Sequence, residues 1–207
     1  MAEAEKRMAG NYEIEFGYRV GDREVLFGVD PASDKPYFCA LYHTRFEIVQ
    51  IRELYEDCVT SDNYVEIAEQ FAAYVQSQCQ KVREKWAKVD VPRVRITEEM
   101  CRPRFPAQNL NGKIVAVKPS YLRPEYQSAD RQLFLLVDGY GPNGRNQMAT
   151  CDCINLYTGE SDLWRRHEIM GEVKPEFLPD WAKERTAAIR EKQSEKARER
   201  SASVSER

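Results

Sequence analysis

The stretch NYEIEFGYRVGDREVLFGV, residues 11–29, decides the fold class. Tyr12, Ile14, Phe16 and Tyr18 alternate with polar or small neighbours, the period-two pattern of a half-covered strand. Gly21-Asp22 interrupts the run, and Glu24 to Val29 resumes it, so a β-hairpin is expected. The turn cluster Pro31 to Pro36 leads to Tyr37-Phe-Cys-Ala-Leu-Tyr42, a third strand of an antiparallel meander. Phe46 to Val59 fits either period. A meander needs a cover for its apolar face, and the chain supplies one next. Tyr64, Ala68, Phe71, Val75, Cys79, Val82 and Trp86 step by three or four, one face of a long helix running to about Lys88. Ser61-Asp62 is expected to cap it, and Glu66 suits its positive end.

Beyond the helix, residues 91–112 read as a connector rich in proline, with one helical turn at Thr97–Cys101 capped by Thr97. A second β unit follows: Lys113–Lys118, the nearly continuous apolar Gln132–Val137, Met148–Tyr157 and Asp162–Ile169. Pro179 opens a terminal helix that loses its apolar face after Ile189. The expected class is α+β: an N-terminal antiparallel meander, one long amphipathic helix, a C-terminal antiparallel sheet and a terminal helix with a disordered tail. Residues 1–10 read as disordered, 11–190 as a single domain and 191–207 as a charged flexible tail. Within the domain, 11–90 form the meander and helix, 91–112 the connector, and 113–190 the second β unit with its helix.

The 207 residues are 42% hydrophobic and 31% charged, with a net charge of −3. That balance supports a core and excludes a uniformly basic nucleic-acid coat, but permits local patches. No apolar run is long enough for a membrane span, and the opening MAEAEKRMAGNYEIEF has no apolar core of a secretory signal. A cytoplasmic protein with no membrane partner is expected. Cys39, Cys58, Cys79, Cys101, Cys151 and Cys153 then read as reduced thiols. Cys151 and Cys153 share a face if their segment is a strand, but no zinc spacing completes them, and only His43 and His167 could assist. No metal and no cofactor is expected.

Catalytic patterns are equally sparse. Gly139-x-Gly141-x-x-Gly144 has a dinucleotide-loop spacing, but a strand follows it where a phosphate-binding helix would have to start. Cys153 and His167 could meet across the turn at Thr158-Gly159, a geometry that more often reflects packing than a nucleophile and its base. Charge is more informative. Residues 45–69 hold seven carboxylates against two arginines, a net of −5, and residues 81–145 hold thirteen cations against seven carboxylates, a net of +6. Glu47, Glu53, Glu56, Asp57 and Glu66 are the candidate residues for a cationic partner surface. Arg123, Tyr126, Arg131, Arg145, Arg165 and Arg166 are the candidates for nucleic acid, with Tyr121, Tyr140 and Trp164 close by in sequence. The plainer alternative is that these charges are solvated faces of a helix and a loop.

Cys153-Ile-Asn-Leu-Tyr-Thr-Gly159, Trp164-Arg165-Arg166, Gly171 and Leu178-Pro-Asp-Trp-Ala182 resemble small proteins encoded by phages and mobile elements of gut bacteria. Val25-Leu-Phe27, Pro36-Tyr37 and Ser61-Asp-Asn-Tyr64 fit the same pattern, so the resemblance spans roughly residues 11–190. Some proteins of this kind are type II-A anti-CRISPR proteins, inhibitors of Cas9. The resemblance implies a non-enzymatic, stoichiometric inhibitor acting in a bacterial host cell. It would bind the Cas9–guide RNA complex and hinder target DNA recognition or cleavage, with contact to double-stranded DNA as a further implication. The alternative is a DNA-binding or protein-docking accessory protein of a mobile element with no inhibitory role. A cysteine enzyme is the third reading.

Overall fold

The computed structural model describes residues 6–47, 50–103, 105, 108–139 and 149–205, and side chains at all of these except 46, 47 and 196–205. The fold is mixed α+β, as the sequence pattern implies. The chain divides into two compact units, Met1–Lys88 and Val89–Arg207, close to the expected boundary between long helix and connector.

The first unit is a five-stranded antiparallel sheet in chain order. Its strands are β1 (Met8–Ala9), β2 (Tyr12–Val20), β3 (Arg23–Val29), β4 (Tyr37–Glu47) and β5 (Gln50–Ser61). Gly21 takes φ +62° at the first central position of the two-residue turn joining β2 to β3, a place that favours glycine. The ambiguous segment after Phe46 proves to be β5, paired along nearly all of β4. The N-terminal stretch expected to be disordered contains β1. Arg7 beside it forms two hydrogen bonds with the Glu24 carboxylate, 2.9 and 3.1 Å, which tie it to β3.

The first half of β4, Tyr37–Tyr42, is apolar without interruption because both of its faces are covered. Cys39 and Leu41 join Val25, Phe27 and Ile67 under the helix, while Phe38 and Ala40 join Ala9 on the other side. The helix α1 (Tyr64–Ala87) is capped by Asn63, whose Oδ1 accepts from the Val65 amide at 2.9 Å. Ser61, an expected cap, instead ends β5 and donates its hydroxyl to Glu66. The buried stripe is also rotated from expectation. It runs through Ile67, Phe71, Tyr74, Gln78 and Val82, leaving Tyr64 53% exposed. Gln78, which is not among the expected stripe residues, is only 3% exposed within it.

β5 bulges where Asp57 and Cys58 together face Ala40 of β4, and Asp57 adopts φ +51°. The Tyr74 hydroxyl donates to the Asp57 carbonyl at 2.7 Å, so α1 is fastened to the sheet at its distorted point.

The second unit holds another antiparallel sheet, ordered β10-β6-β7-β8-β9. Its strands are β6 (Ile114–Val117), β7 (Leu133–Asp138), β8 (Thr150–Asn155), β9 (Ser161–Arg165) and β10 (Ile169–Glu172). The expected single strand Asp162–Ile169 is two strands, because Arg166–Glu168 form a turn of 3-10 helix between them. At Thr97–Cys101 the turn is 3-10 too, over Glu98–Met100, and the Thr97 side chain makes no cap hydrogen bond. β7 is covered on both faces, as its composition requires. Leu133 and Leu135 face a cluster with Ile96, Leu156 and Ala182, while Phe134 and Leu136 face Leu110, Val115 and Cys153.

The terminal helix α3 (Asp180–Ser205) supplies Trp181, Ala182 and Ile189 to the first cluster. Its helical backbone extends through the charged stretch that the sequence suggests is a flexible tail. Glu, Lys, Gln, Arg and Ala are good helix formers even without an apolar face. Among the described residues no helix is long and apolar enough to cross a membrane.

One side chain organises the second unit. Gln132 closes the single-turn helix α2 (Ala129–Gln132), is fully buried, and accepts from the Ile96 amide at 2.8 Å. Its Nε2 donates to the carbonyls of Ile96 and Val117, at 3.1 and 3.2 Å. Gln132→Ala should strand three buried backbone groups and lower stability by about 2–4 kcal/mol, read from denaturant unfolding. In the first unit, Asp57→Val should cost about 1–2 kcal/mol, because a branched residue resists the left-handed region, whereas Asp57→Gly should be neutral or stabilising. Equal melting points for these two variants would refute the strained-bulge account.

Candidate functional site

A cleft of about 400 Å³ opens on the face of the second sheet that carries Phe134 and Trp164. That volume lies within the range of about 300–1,000 Å³ usual for small-ligand sites. Three local structures build it. The 3-10 turn Pro124–Tyr126 brings Tyr126, α2 brings Arg131, and the β8–β9 hairpin brings Asn155, Thr158, Glu160, Ser161, Asp162 and Trp164. Leu122 and the buried Phe134 complete the lining.

The hairpin is held from within. Asn155 Oδ1 accepts from the Tyr157 and Thr158 amides, both at 2.9 Å, and Gly159 takes φ +73° to close the turn. Asn155 Nδ2 reaches the Asp130 carbonyl at 3.1 Å, which joins the hairpin to α2. Asp130 is itself buried, accepting from the Ser128 hydroxyl at 2.6 Å and lying 3.6 Å from Arg131 Nε. The Arg131 guanidinium stands 5.4 Å from the centroid of the Tyr126 ring. Phe134 and Trp164 meet edge to face with centroids 5.6 Å apart.

Two polar atoms here are buried without a hydrogen-bond partner, Tyr126 Oη and Trp164 Nε1. Such atoms normally find partners, because leaving one unsatisfied costs roughly 1–3 kcal/mol. The lining carries one guanidinium against two carboxylates, Glu160 and Asp162, so its formal charge is −1. A phosphate would meet repulsion inside it, whereas a cationic or mixed donor–acceptor group would not.

The structure therefore gathers Tyr126 and Arg131 from the expected basic–aromatic set and separates the others. Arg123 is half-buried and begins the turn, its carbonyl accepting from the Tyr126 amide at 2.8 Å. Arg165 is exposed but follows Trp164 on β9, so it points to the opposite face. Arg166 is only 3% exposed, and its Nε and Nη2 donate to the Gly139 carbonyl at 3.0 and 2.7 Å. It braces a loop instead of presenting charge to a polyanion, a correction to its expected role. Arg145 and Tyr140 lie outside the described residues. Tyr121 packs edge to face on His167. Glu160 and Asp162 escaped sequence reasoning, although Asp162 and Trp164 share a face by strand alternation.

Of the acidic candidates only the neighbours Glu56 and Asp57 are brought together, in a cleft they share with Arg23, Lys81 and Lys85. Glu53 lies on one face of the first sheet and accepts from the Tyr42 hydroxyl at 2.9 Å, and burial first and this bond second push that phenol's pKa upward. Glu56 lies on the other face and pairs with Arg23 at 3.1 Å. Asp57 sits at the bulge, and Glu66 is in the first turn of α1. Glu47 ends β4, and its side chain is outside the described set.

Burial also decides the chemistry of the thiols. Cys39 and Cys153 are pushed up to about 12, and Cys101 to about 11. Cys151 shifts in the same direction, by burial first. A thiol held protonated at neutral pH is a poor nucleophile, which argues against Cys153 attacking with His167 as its base. Among the described residues no three His, Cys, Asp or Glu side chains are grouped to hold a metal ion. No known family model matches the chain, nor does any curated protein or solved structure.

The thiol environments give a pH prediction. Unfolded thiols ionise near pH 9, while the buried native ones stay protonated to about 11–12. Unfolding therefore releases protons above pH 9, so the contribution is intact below that value and is lost as pH rises toward 11–12. Alkylation of the native protein at pH 8 should modify the exposed Cys58 first and spare Cys39, Cys101, Cys151 and Cys153 until denaturant is added. Rapid native-state labelling of Cys153, located by peptide mapping, would contradict this picture.

Proposed function

We propose that this chain is a non-enzymatic, stoichiometric inhibitor of the anti-CRISPR kind. It acts in a bacterial cytoplasm, binds the Cas9–guide RNA complex and hinders target DNA recognition or cleavage. The observation that supports this reading most directly is where the family-like residues sit. Cys153–Gly159 and Trp164, which carry the resemblance, form the β8–β9 hairpin that walls the cleft beside Tyr126 and Arg131. Tryptophan, tyrosine and arginine around a concave surface have the composition of a binding hot spot. Buried thiols at high pKa weigh against the cysteine-enzyme alternative.

Electrostatics favour a protein partner over bare phosphate at the cleft. Its formal −1 lining complements the arginine- and lysine-lined channels in which Cas9 holds nucleic acid. The acidic strand β5 extends the same logic, with Glu53 and Glu56 on opposite faces. The second reading is a nucleic-acid-binding accessory protein, which the Arg131–Tyr126 pair near Trp164 favours. One assay separates the two.

Cas9–guide complex should be titrated with the purified chain before addition of a matched DNA target. Protection that saturates near one equivalent is the expected outcome, and full cleavage in large excess would remove the inhibitor reading. Arg131→Ala combined with Trp164→Ala should weaken protection at least about tenfold. Since Glu53 and Glu56 point apart, reversal to lysine at one of them should matter and at the other should not. Indifference to both would exclude β5 from the interface.

A further inference from the structure

We propose that the cleft of the second unit is a guanine-base pocket, taking an unpaired guanine of a nucleic acid or of a free nucleotide. The inference deepens the reading of this cleft as the binding face. Its first support is shape and chemistry combined. The half-buried Trp164, backed edge to face by the buried Phe134, gives the concavity an aromatic wall beside Tyr126, and a flat heterocycle stacks on such a ring irrespective of its sequence context.

Charge on the lining narrows the choice. Arg131 contributes one fork of donors, and Glu160 and Asp162 contribute acceptors. Guanine is the base that matches both on one ring. Its O6 and N7 accept from a guanidinium, and its N1–H and N2–H donate side by side to a carboxylate. Adenine and cytosine carry a ring acceptor at the corresponding edge, where a carboxylate would repel them. Uracil has one ring donor there, flanked by carbonyls. Because the N1–N2 edge is the pairing edge, the base has to be unpaired.

Other ligand classes fit less well. A phosphate group is disfavoured by the net negative lining. A methylammonium held by an aromatic cage is disfavoured because Arg131 already occupies the cation position by Tyr126, at 5.4 Å from its centroid.

The test is a calorimetric titration of the full chain, without Cas9, against guanosine, adenosine, cytidine and uridine. Guanosine should bind at least about tenfold more tightly than the others, the discrimination a good paired contact provides. The double variant Glu160→Gln, Asp162→Asn should lose at least about tenfold in guanosine affinity while keeping its melting temperature, since both residues are exposed. Trp164→Ala removes the stacking wall, so it should weaken guanosine several-fold. Equal affinity for the four nucleosides, no saturable binding, or a double variant as tight as wild type would overturn the proposal. Saturation by tetramethylammonium with no response to guanosine would overturn it in favour of a cation cage.

Guanosine monophosphate and a short single strand with one guanine separate the sources. A strand tighter than the nucleoside assigns the base to nucleic acid, and one no tighter assigns it to a free nucleotide, both supporting a guanine site. Intact Cas9 protection without guanosine binding would sink this inference alone. Guanosine binding without protection would instead remove the inhibitor reading.

Discussion

Much of the second unit hangs on the buried carboxamide of Gln132. It answers both the amide and the carbonyl of Ile96 and also the carbonyl of Val117, so it joins the connector to strand β6 at the point where β7 begins. Complete burial makes each of those bonds hard to replace, because solvent does not reach the Gln132 carboxamide. The consequence for function is geometric. With Gln132 pinned inward, the adjacent Arg131 on the same short turn faces outward beside Tyr126. Asp130, anchored by Ser128 and touched by Arg131, sets where the guanidinium can lie. A side chain in the core thus fixes the charge at the mouth of the cleft.

The first unit solves a different problem with similar means. Its central strands are apolar on both faces, so helix α1 covers one and the short β1 with its neighbours covers the other. The bulge at Asp57 bends the long β5 strand, and Tyr74 from the helix accepts the bend by bonding to its carbonyl. Edge strands invite unwanted pairing, and a bulge with charged neighbours is a common defence. β5 carries the exposed Glu53, Glu56 and Asp57 on such an edge.

Binding and catalysis leave different physical traces. Thiols are buried and raised in pKa, the reverse of what a nucleophile needs. The polar atoms left without partners, Tyr126 Oη and Trp164 Nε1, belong to a concave aromatic surface that also carries opposite charges. Recognition of a flat ligand or of a partner's side chain uses such a surface without any bond being made or broken.

Periodicity alone determined the α+β class, the β2–β3 hairpin, the long helix and the doubly covered β7, because burial of alternate or stepped residues is a local property of the chain. The same local reasoning failed wherever a distant partner sets the outcome. Gln78 is buried because the sheet lies beneath it, β1 is ordered because Glu24 binds Arg7, and Asp162–Ile169 breaks at Arg166 because that guanidinium is drawn to Gly139. The candidate site divided likewise. Tyr126 and Arg131 were legible as an aromatic–basic pair, but their meeting with Glu160, Asp162 and Trp164 was not, since nearly thirty residues of chain separate the two groups. The charge runs at 45–69 and 81–145 were visible as composition, yet strand alternation and ion pairing scattered them over several faces. Composition counts charges along the chain, while only tertiary packing decides which side of a sheet each charge faces and which of them meet.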